Sequence, residues 1–384
     1  MPDDGELRVA SFNILHTRDD DADDTLDRRI GLVADALAQT NADVVGLQEV
    51  TRSANHGMVA ERVAGEMAGR TGDDWSWCFF QSNPHLPDES DEGPGGVGGP
   101  TSRSLADLAR EGDAPWAEGV AVLSRQPIVD QAAHRLPSRA AEAPTCGVEN
   151  PDDPLAAVTC QFDTRTVLWA RVDTACGGFD MFTSHLANTA SSMSEETRLA
   201  QITDALAQID QLATDEAAPD AYVGDFNTLE GGQVWRAAVD VGFVDAFRTA
   251  APDDPGFTAG QLIGESAPTV DARIDYVFAR SGSTTIEPRR AEVIGDTPSP
   301  VADGSETVVW PSDHYGVAVT LLDEASCTDV AGRVPPGPST DSTPGPEAGT
   351  SDGGPPGWLV GTILAALAIA VGVVVLNRSQ RHRT

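Results

Sequence analysis

The residues best suited to chemistry lie in Tyr222-Val223-Gly224-Asp225-Phe226-Asn227-Thr228, where a carboxylate and a carboxamide stand two residues apart at the end of an apolar run. Alternate side chains of an extended strand share a face, so this spacing predicts Asp225 and Asn227 on one side and Phe226 in the core. Gly224 permits close backbone approach just before them. A carboxylate that only accepts, beside an amide that both donates and accepts, suits a site for a metal-bound or phosphate-bound oxygen. Gly-Asp-Phe-Asn also suits an ordinary turn. Its weight therefore comes from the other polar residues along the chain.

Those residues recur where apolar runs begin or end. Asn13 lies near the end of Leu7–Leu15, and Gln48 and Glu49 follow Val44–Leu47. Glu118 stands at the mouth of Glu-Gly-Val-Ala-Val-Leu-Ser-Arg, and Thr183, Ser184 and His185 close Phe179–Leu186. Asp275 opens the run in Arg-Ile-Asp-Tyr-Val-Phe, and Asp313 and His314 precede Val317–Leu322. Singly, each reads as a cap, a loop charge or a surface histidine. Together, the oxygen donors Asn13, Glu49, Asp225, Asn227 and Asp313 suit Mg²⁺ or Mn²⁺ better than zinc. Two histidines then remain for proton transfer and charge stabilisation, as phosphate-ester hydrolysis requires.

The elements that must position these groups alternate. A strand over 7–15 is followed by an acidic loop, a helical pattern over 26–38 and a strand over 44–47, which is α/β order with polar groups at strand ends. A helix over 60–68 and an aromatic strand over 75–80 come next, then a Gly/Pro/Asp/Ser-rich surface loop over 83–115. An irregular insertion is expected within 125–160 before the sheet resumes at 165–172. Leu199, Ile202, Leu206 and Ile209 give the helix over 195–212 an apolar face. Residues 239–247 read as a short connection, and no internal repeat is evident.

The ordered set SFNI, LQEV, EGVAVLSR, SHL, GDFNT, RIDYVF and SDHYGV resembles the endonuclease/exonuclease/phosphatase superfamily over Leu7–Leu322. The resemblance implies an α/β (α+β) fold, a four-layered sandwich of two packed mixed β-sheets flanked by helices, with the active site at one edge. It implies a metal site of Asn13, Glu49 and Asp313, with Glu49 a direct Mg²⁺ ligand. Asp225 and Asn227 match the pair that positions the attacking water and contacts the phosphate. His314 matches the general base or charge-stabilising histidine, oriented by Asp275. His185 matches the second histidine of the deoxyribonuclease and sphingomyelinase branches, with Glu118 as its partner and Arg165 as a phosphate contact. The expected activity is Mg²⁺- or Mn²⁺-dependent phosphodiester hydrolysis, with nucleic acid the leading substrate and phospholipid, or a small phosphoester, next. Asp271-Ala-Arg-Ile-Asp275 departs from the Trp-Cys-Asp-Arg segment of the inositol-polyphosphate branch and disfavours it. A catalytically idle binding module is the rival class, and the intact set of polar positions argues against it.

Composition bounds the partners. The net charge is -35, with 60 acidic residues against 25 basic, all of them arginine. Such a surface repels polyanions at long range and disfavours tight nonspecific nucleic-acid binding at low salt. Adaptation to a salty medium, or a GC-rich genome, would produce the same bias. Cys78, Cys146, Cys160, Cys176 and Cys327 have no metal-ligand spacing; Cys146 and Cys160 bracket a polar loop that a disulfide could staple in an exported domain. A catalytic domain over 5–325 is expected, then a Pro/Gly/Ser/Thr-rich linker over 326–357. Trp358–Leu376 is 19 residues without a charge, close to the roughly 20 that span a bilayer. Arg378, Arg381, His382 and Arg383 follow, so 377–384 is the expected cytoplasmic tail of a single-pass membrane protein with its catalytic domain outside. No signal peptide is visible at the N-terminus to account for export, so the alternative is a tail-anchored chain with its domain inside, against which the arginine cluster argues. No protein partner is indicated.

Overall fold

The computed structural model describes residues 6–16, 23–53, 56–83, 116–137, 165–174, 177–188, 195–213, 218–263, 265–282, 285–300 and 308–323. The expected linker, membrane helix and basic tail, and all cysteines but the buried free thiol of Cys78, lie outside them. Among the described residues no helix is long and apolar enough to cross a membrane.

In chain order the elements are β1 (Glu6–Asn13), α1 (Asp23–Gln39), β2 (Val44–Ser53), β3 (Gly57–Met58), α2 (Val59–Thr71), β4 (Ser76–Asn83), β5 (Trp116–Ser124), β6 (Ile128–Leu136) and β7 (Arg165–Thr174). There follow β8 (Gly177–His185), α3 (Glu195–Leu212), β9 (Asp220–Asp225), α4 (Gln233–Asp240), β10 (Val244–Asp245) and α5 (Ala246–Ala250). The last are β11 (Asp275–Arg280), β12 (Ile286–Ile294), β13 (Ser299–Pro300), β14 (Val308–Val309) and β15 (Gly316–Asp323). One sheet runs β12-β15-β1-β2-β5-β4 with β3 beside β2; the other runs β10-β11-β9-β8-β7-β6. Both are mixed, because β1 pairs with β2 and β8 with β9 in parallel while the remaining pairs are antiparallel.

Side-chain alternation divides the apolar residues into three cores. Leu7 and Val9 of β1 join Val120, Val122, Leu168, Val223 and Val277 between the sheets. Ala10 and Phe12, one residue out of step, pack with Val33, Leu37 and Val63 of α1 and α2. Phe182, Tyr222, Phe226 and Phe278 on the far side of the second sheet meet Ile202, Leu206 and Ile209 of α3. This is the four-layered order expected. The sheets approach closely at Gly46, where a Cβ would lie 2.3 Å from Val223 Cγ2 and 2.9 Å from Thr183 Oγ1.

Two long strands depart from expectation. Ile128–Leu136 falls in the segment read as irregular, and Ile286–Ile294 went unrecognised; they are β6 and β12, each at a sheet edge. Edge positions tolerate the charges and proline that hide a strand pattern. The 239–247 connection is likewise partly regular, ending α4 and containing β10. β2 does not stop at Leu47 but continues to Ser53 through a register shift between Leu47 and Val50.

Candidate active site

That register shift is what aims Glu49. Val45, Leu47 and Val50 all face the helices, whereas Gln48 reaches across the sheets to donate to Thr183 Oγ1 at 3.0 Å. Strict alternation would send Glu49 into the apolar helix layer. The extra residue of the bulge, with Glu49 at φ 58°, turns its carboxylate toward the strand end instead. There Asn13 Nδ2 donates to Glu49 Oε1 at 3.1 Å and to Asp225 Oδ2 at 3.1 Å, joining the two sheets.

Asp225 Oδ2 is the point of convergence. His185 Nε2 lies 3.4 Å from it and His314 Nε2 3.8 Å. β9 pairs with β11 so that Asp225 stands opposite Asp275, and Asp275 Oδ2 meets His314 Nδ1 at 3.0 Å. Phe226 enters the α3 core as alternation requires. Asn227 does not continue the strand: it adopts φ 49°, its N–H donates to Asp225 Oδ1 at 2.9 Å, and its Nδ2 donates to Leu186 O at 3.0 Å. The expected shared strand face is thus replaced by a tight Asx turn, which still holds both groups at one place.

The environments push the titratable groups apart. Burial and the charge of Asp275 raise the Asp225 carboxyl well above the usual carboxylate range. For His314, burial opposes the charged form, but the carboxylates of Asp275 and Asp225 outweigh it and raise the imidazole well above its ordinary value. Burial, reinforced by the Arg165 charge, lowers His185 well below its own. The two histidines are therefore pushed in opposite directions, His314 toward the imidazolium and His185 toward the neutral form. Burial would raise Glu49, yet the hydrogen bonds from His16 hold it well below the carboxylate range.

On the first sheet, Glu49 and Asp313 act on each other as like charges, which together with burial raises Asp313. Two carboxylates this close form an oxygen donor set that fits a hard divalent cation; the Asn13 amide turns its Nδ2 to Glu49, and its Oδ1 accepts from Leu15 N at 3.1 Å. A second grouping, Asp225, Asp275 and His314, brings one ligand atom from each within 4.8 Å of the others. Its members are already engaged with one another through the His314–Asp275 hydrogen bond.

One expected contact is not made. Among the described residues no hydrogen bond joins Glu118 to His185, whose buried Nδ1 has no partner. Glu118 shares a face with Val120 and Val122 toward the second sheet, and its ladder neighbours are Thr51 in β2 and Asn83 in β4. Arg165 is buried at the start of β7 with its Nε unpartnered, and its charge reaches His185.

Several contributors were not foreseen. His16 meets Glu49 Oε2 through its N–H at 2.9 Å and its Nδ1 at 2.6 Å. Ser312 Oγ donates to Asn13 O at 2.7 Å and accepts from His314 N at 3.1 Å. Arg29 of α1 binds the carbonyls of Ile14, Leu15 and Pro311, tying the exit of β1 to the segment that carries Asp313 and His314. His16 alone had a local signal, a histidine three residues beyond Asn13.

A two-sheet sandwich with a carboxylate–amide–histidine site at one edge of its seam is the class that fold and site define. The Endonuclease/Exonuclease/phosphatase family model matches residues 10–314; the chain belongs to this family, whose members are hydrolases acting on phosphate esters. Among solved structures, a family member from Bacteroides thetaiotaomicron is 18% identical with a TM-score of 0.55, covering 82% of this chain and 97% of its own. One from Beutenbergia cavernae DSM 12333 is 22% identical with a TM-score of 0.54, covering 84% and 72%. A mannosyl-6-phosphatase from Bacteroides thetaiotaomicron VPI-5482 is 17% identical with a TM-score of 0.55, covering 82% and 99%. At these identities the likeness is one of fold. No curated protein matches the chain.

Proposed function

We propose that the chain is a Mg²⁺- or Mn²⁺-dependent phosphodiesterase that cleaves nucleic acid by in-line attack of water. The observation that carries this reading is the convergence of Asn13, His185 and His314 on Asp225 Oδ2. A carboxylate whose proton affinity burial has raised toward neutrality is matched to take a proton from water. Asn13 fixes its orientation, and the Asn227 turn holds its other oxygen. His314, held cationic by Asp275, is placed to donate to phosphoryl oxygens as charge develops. Neutral His185 stands on the same carboxylate and would relay a proton toward the leaving group, with Arg165 binding the phosphate beside it. Asn13, Glu49 and Asp313 would hold the cation, which when bound polarises the phosphoryl group and offsets its charge.

The test is nicking of supercoiled DNA by the full-length chain, with Mg²⁺ or Mn²⁺, beside His314→Ala. Cleavage that needs metal, and that falls by orders of magnitude in the variant, supports the reading. Equal cleavage by the variant removes His314 from the mechanism, and intact DNA with a folded protein rejects the nuclease activity.

A second reading, phospholipid hydrolysis, is favoured by one feature. Leu262 and Ile263 are exposed, 60% and 42%, on the segment whose Ala259 bridges to His314. Hydrolysis of sphingomyelin vesicles without DNA cleavage would select it. The membrane tether at 358–376 with an outward-facing domain belongs to the same proposal. An impermeant label applied to intact cells should reach the domain, and protection from it would place the domain inside.

A further inference from the structure

Four arginines are buried among the described residues: Arg29, Arg165, Arg198 and Arg273. Arg29 is engaged by three carbonyls. Arg273 pairs with Asp245 at 2.7 Å and with Glu230 at 2.7 Å. Arg165 and Arg198 have no carboxylate partner among the described residues, and Nε of each is buried without a hydrogen bond. This occurs in a chain with 60 acidic residues against 25 basic. Burying a guanidinium without a counter-charge is unfavourable. A buried cation that no described residue neutralises fits an anion brought by a ligand.

Both cations belong to one place. Arg198, in the first turn of α3, makes a single long bond, 3.4 Å from Nη1 to Ala187 O. Gln201, one turn on, accepts from Ala187 N at 2.9 Å and donates to Pro137 O at 3.0 Å, which fixes that helix end over the exit of β8. Arg165 begins β7 two residues before Val167, whose ladder partner is Ser184, so its backbone is level with Leu186. Arg165 and Arg198 thus flank residues 185–187. That stretch carries His185, and Leu186 O holds the Asn227 amide.

We propose that Arg198 binds the phosphate adjacent to the one being cleaved, so that the site selects an oligonucleotide strand over substrates with a lone phosphate. Phosphocholine would be disfavoured twice, having no second anion and carrying a cation that Arg198 repels. The inference rests on the phosphodiesterase reading and deepens it.

The experiment is fluorescence anisotropy with a labelled hexanucleotide in Mg²⁺, using the full-length chain with His314→Ala to prevent cleavage. Each phosphate in turn is replaced by an uncharged methylphosphonate. One replacement beside the bound phosphate should weaken binding about tenfold. The same replacement should have no effect when Arg198→Gln is added, and Arg198→Lys should restore part of the discrimination. Arg198→Gln orphans no carboxylate, so its melting temperature should not fall. A lower melting temperature with phosphate selectivity intact would mean that Arg198 only braces Ala187, and would overturn the proposal. Uniform weakening for every oligonucleotide would overturn it as well. Hydrolysis of bis(p-nitrophenyl) phosphate by the natural protein separates the failures: turnover there without a neighbour effect rejects the Arg198 subsite alone. Absence of both turnover and oligonucleotide binding rejects the phosphodiesterase reading with it.

Discussion

One oxygen, Asp225 Oδ2, lies within 3.1 Å of Asn13, 3.4 Å of His185 and 3.8 Å of His314, so the near-isosteric Asp225→Asn isolates its basicity. Turnover should fall about 10²- to 10⁴-fold. Thermal stability should hold or rise, because burial and the facing Asp275 make the ionised carboxylate unfavourable. Steady-state kinetics and a melting curve check both halves. Glu49→Gln should instead raise the Mg²⁺ concentration for half-maximal activity by at least about tenfold, and an unchanged metal titration would deny Glu49 a ligand role. The types of these residues were legible because each stands where an apolar run meets polar sequence. The roles of Gln48, Ser312 and Arg29 were not, since they arise from partners 135, 299 and 282 residues away.

At the scale of the element, strand ends matter less than the irregularities that aim them. The bulge in β2 separates a buried, misdirected Glu49 from a useful one, and sequence alternation read straight through it ends the strand early. Gly224 is the counterpart in β9: at φ 151°, a Cβ would fall 1.9 Å from Ser184 O in the parallel partner β8. Gly224→Ala should therefore destabilise the fold by about 3 kcal/mol or more, by combining backbone strain with forced separation of β8 and β9. Urea unfolding measures it, and a loss below about 1 kcal/mol would show that the ladder relaxes without cost. The central strands and α3 were readable from periodicity, because each has a fully buried face. The edge strands β6 and β12 were not, because half-exposed positions in them accept Asp, His, Arg and Pro.

Across the whole molecule, charge sets the terms of encounter with a polyanion. With a net charge of -35, raising salt from about 10 mM to about 150 mM shortens the Debye length from about 30 Å to about 8 Å and removes repulsion. KM for an oligonucleotide should fall over that range, the reverse of a basic nuclease. A KM that rises with salt would show that the buried arginines outweigh the surface. The alternation of strand and helix was legible from the order of their patterns, and the layered sandwich followed from the family resemblance; the docking of its sheets was not legible, since it depends on Gly46 lying against Thr183 and Val223.

β1 lies inside its sheet between β15 and β2, and Ser312 closes onto Asn13 across 299 residues. The exit of β1 and the segment leading into β15 are thus neighbours at the site. A ribosome-bound chain holds Asn13, Glu49, His185 and Asp225 long before Asp313 and His314 exist. On the phosphodiesterase reading proposed above, synthesis therefore acts as a safety catch: phosphodiesters of the cell that makes the protein are not attacked until β15 is in place.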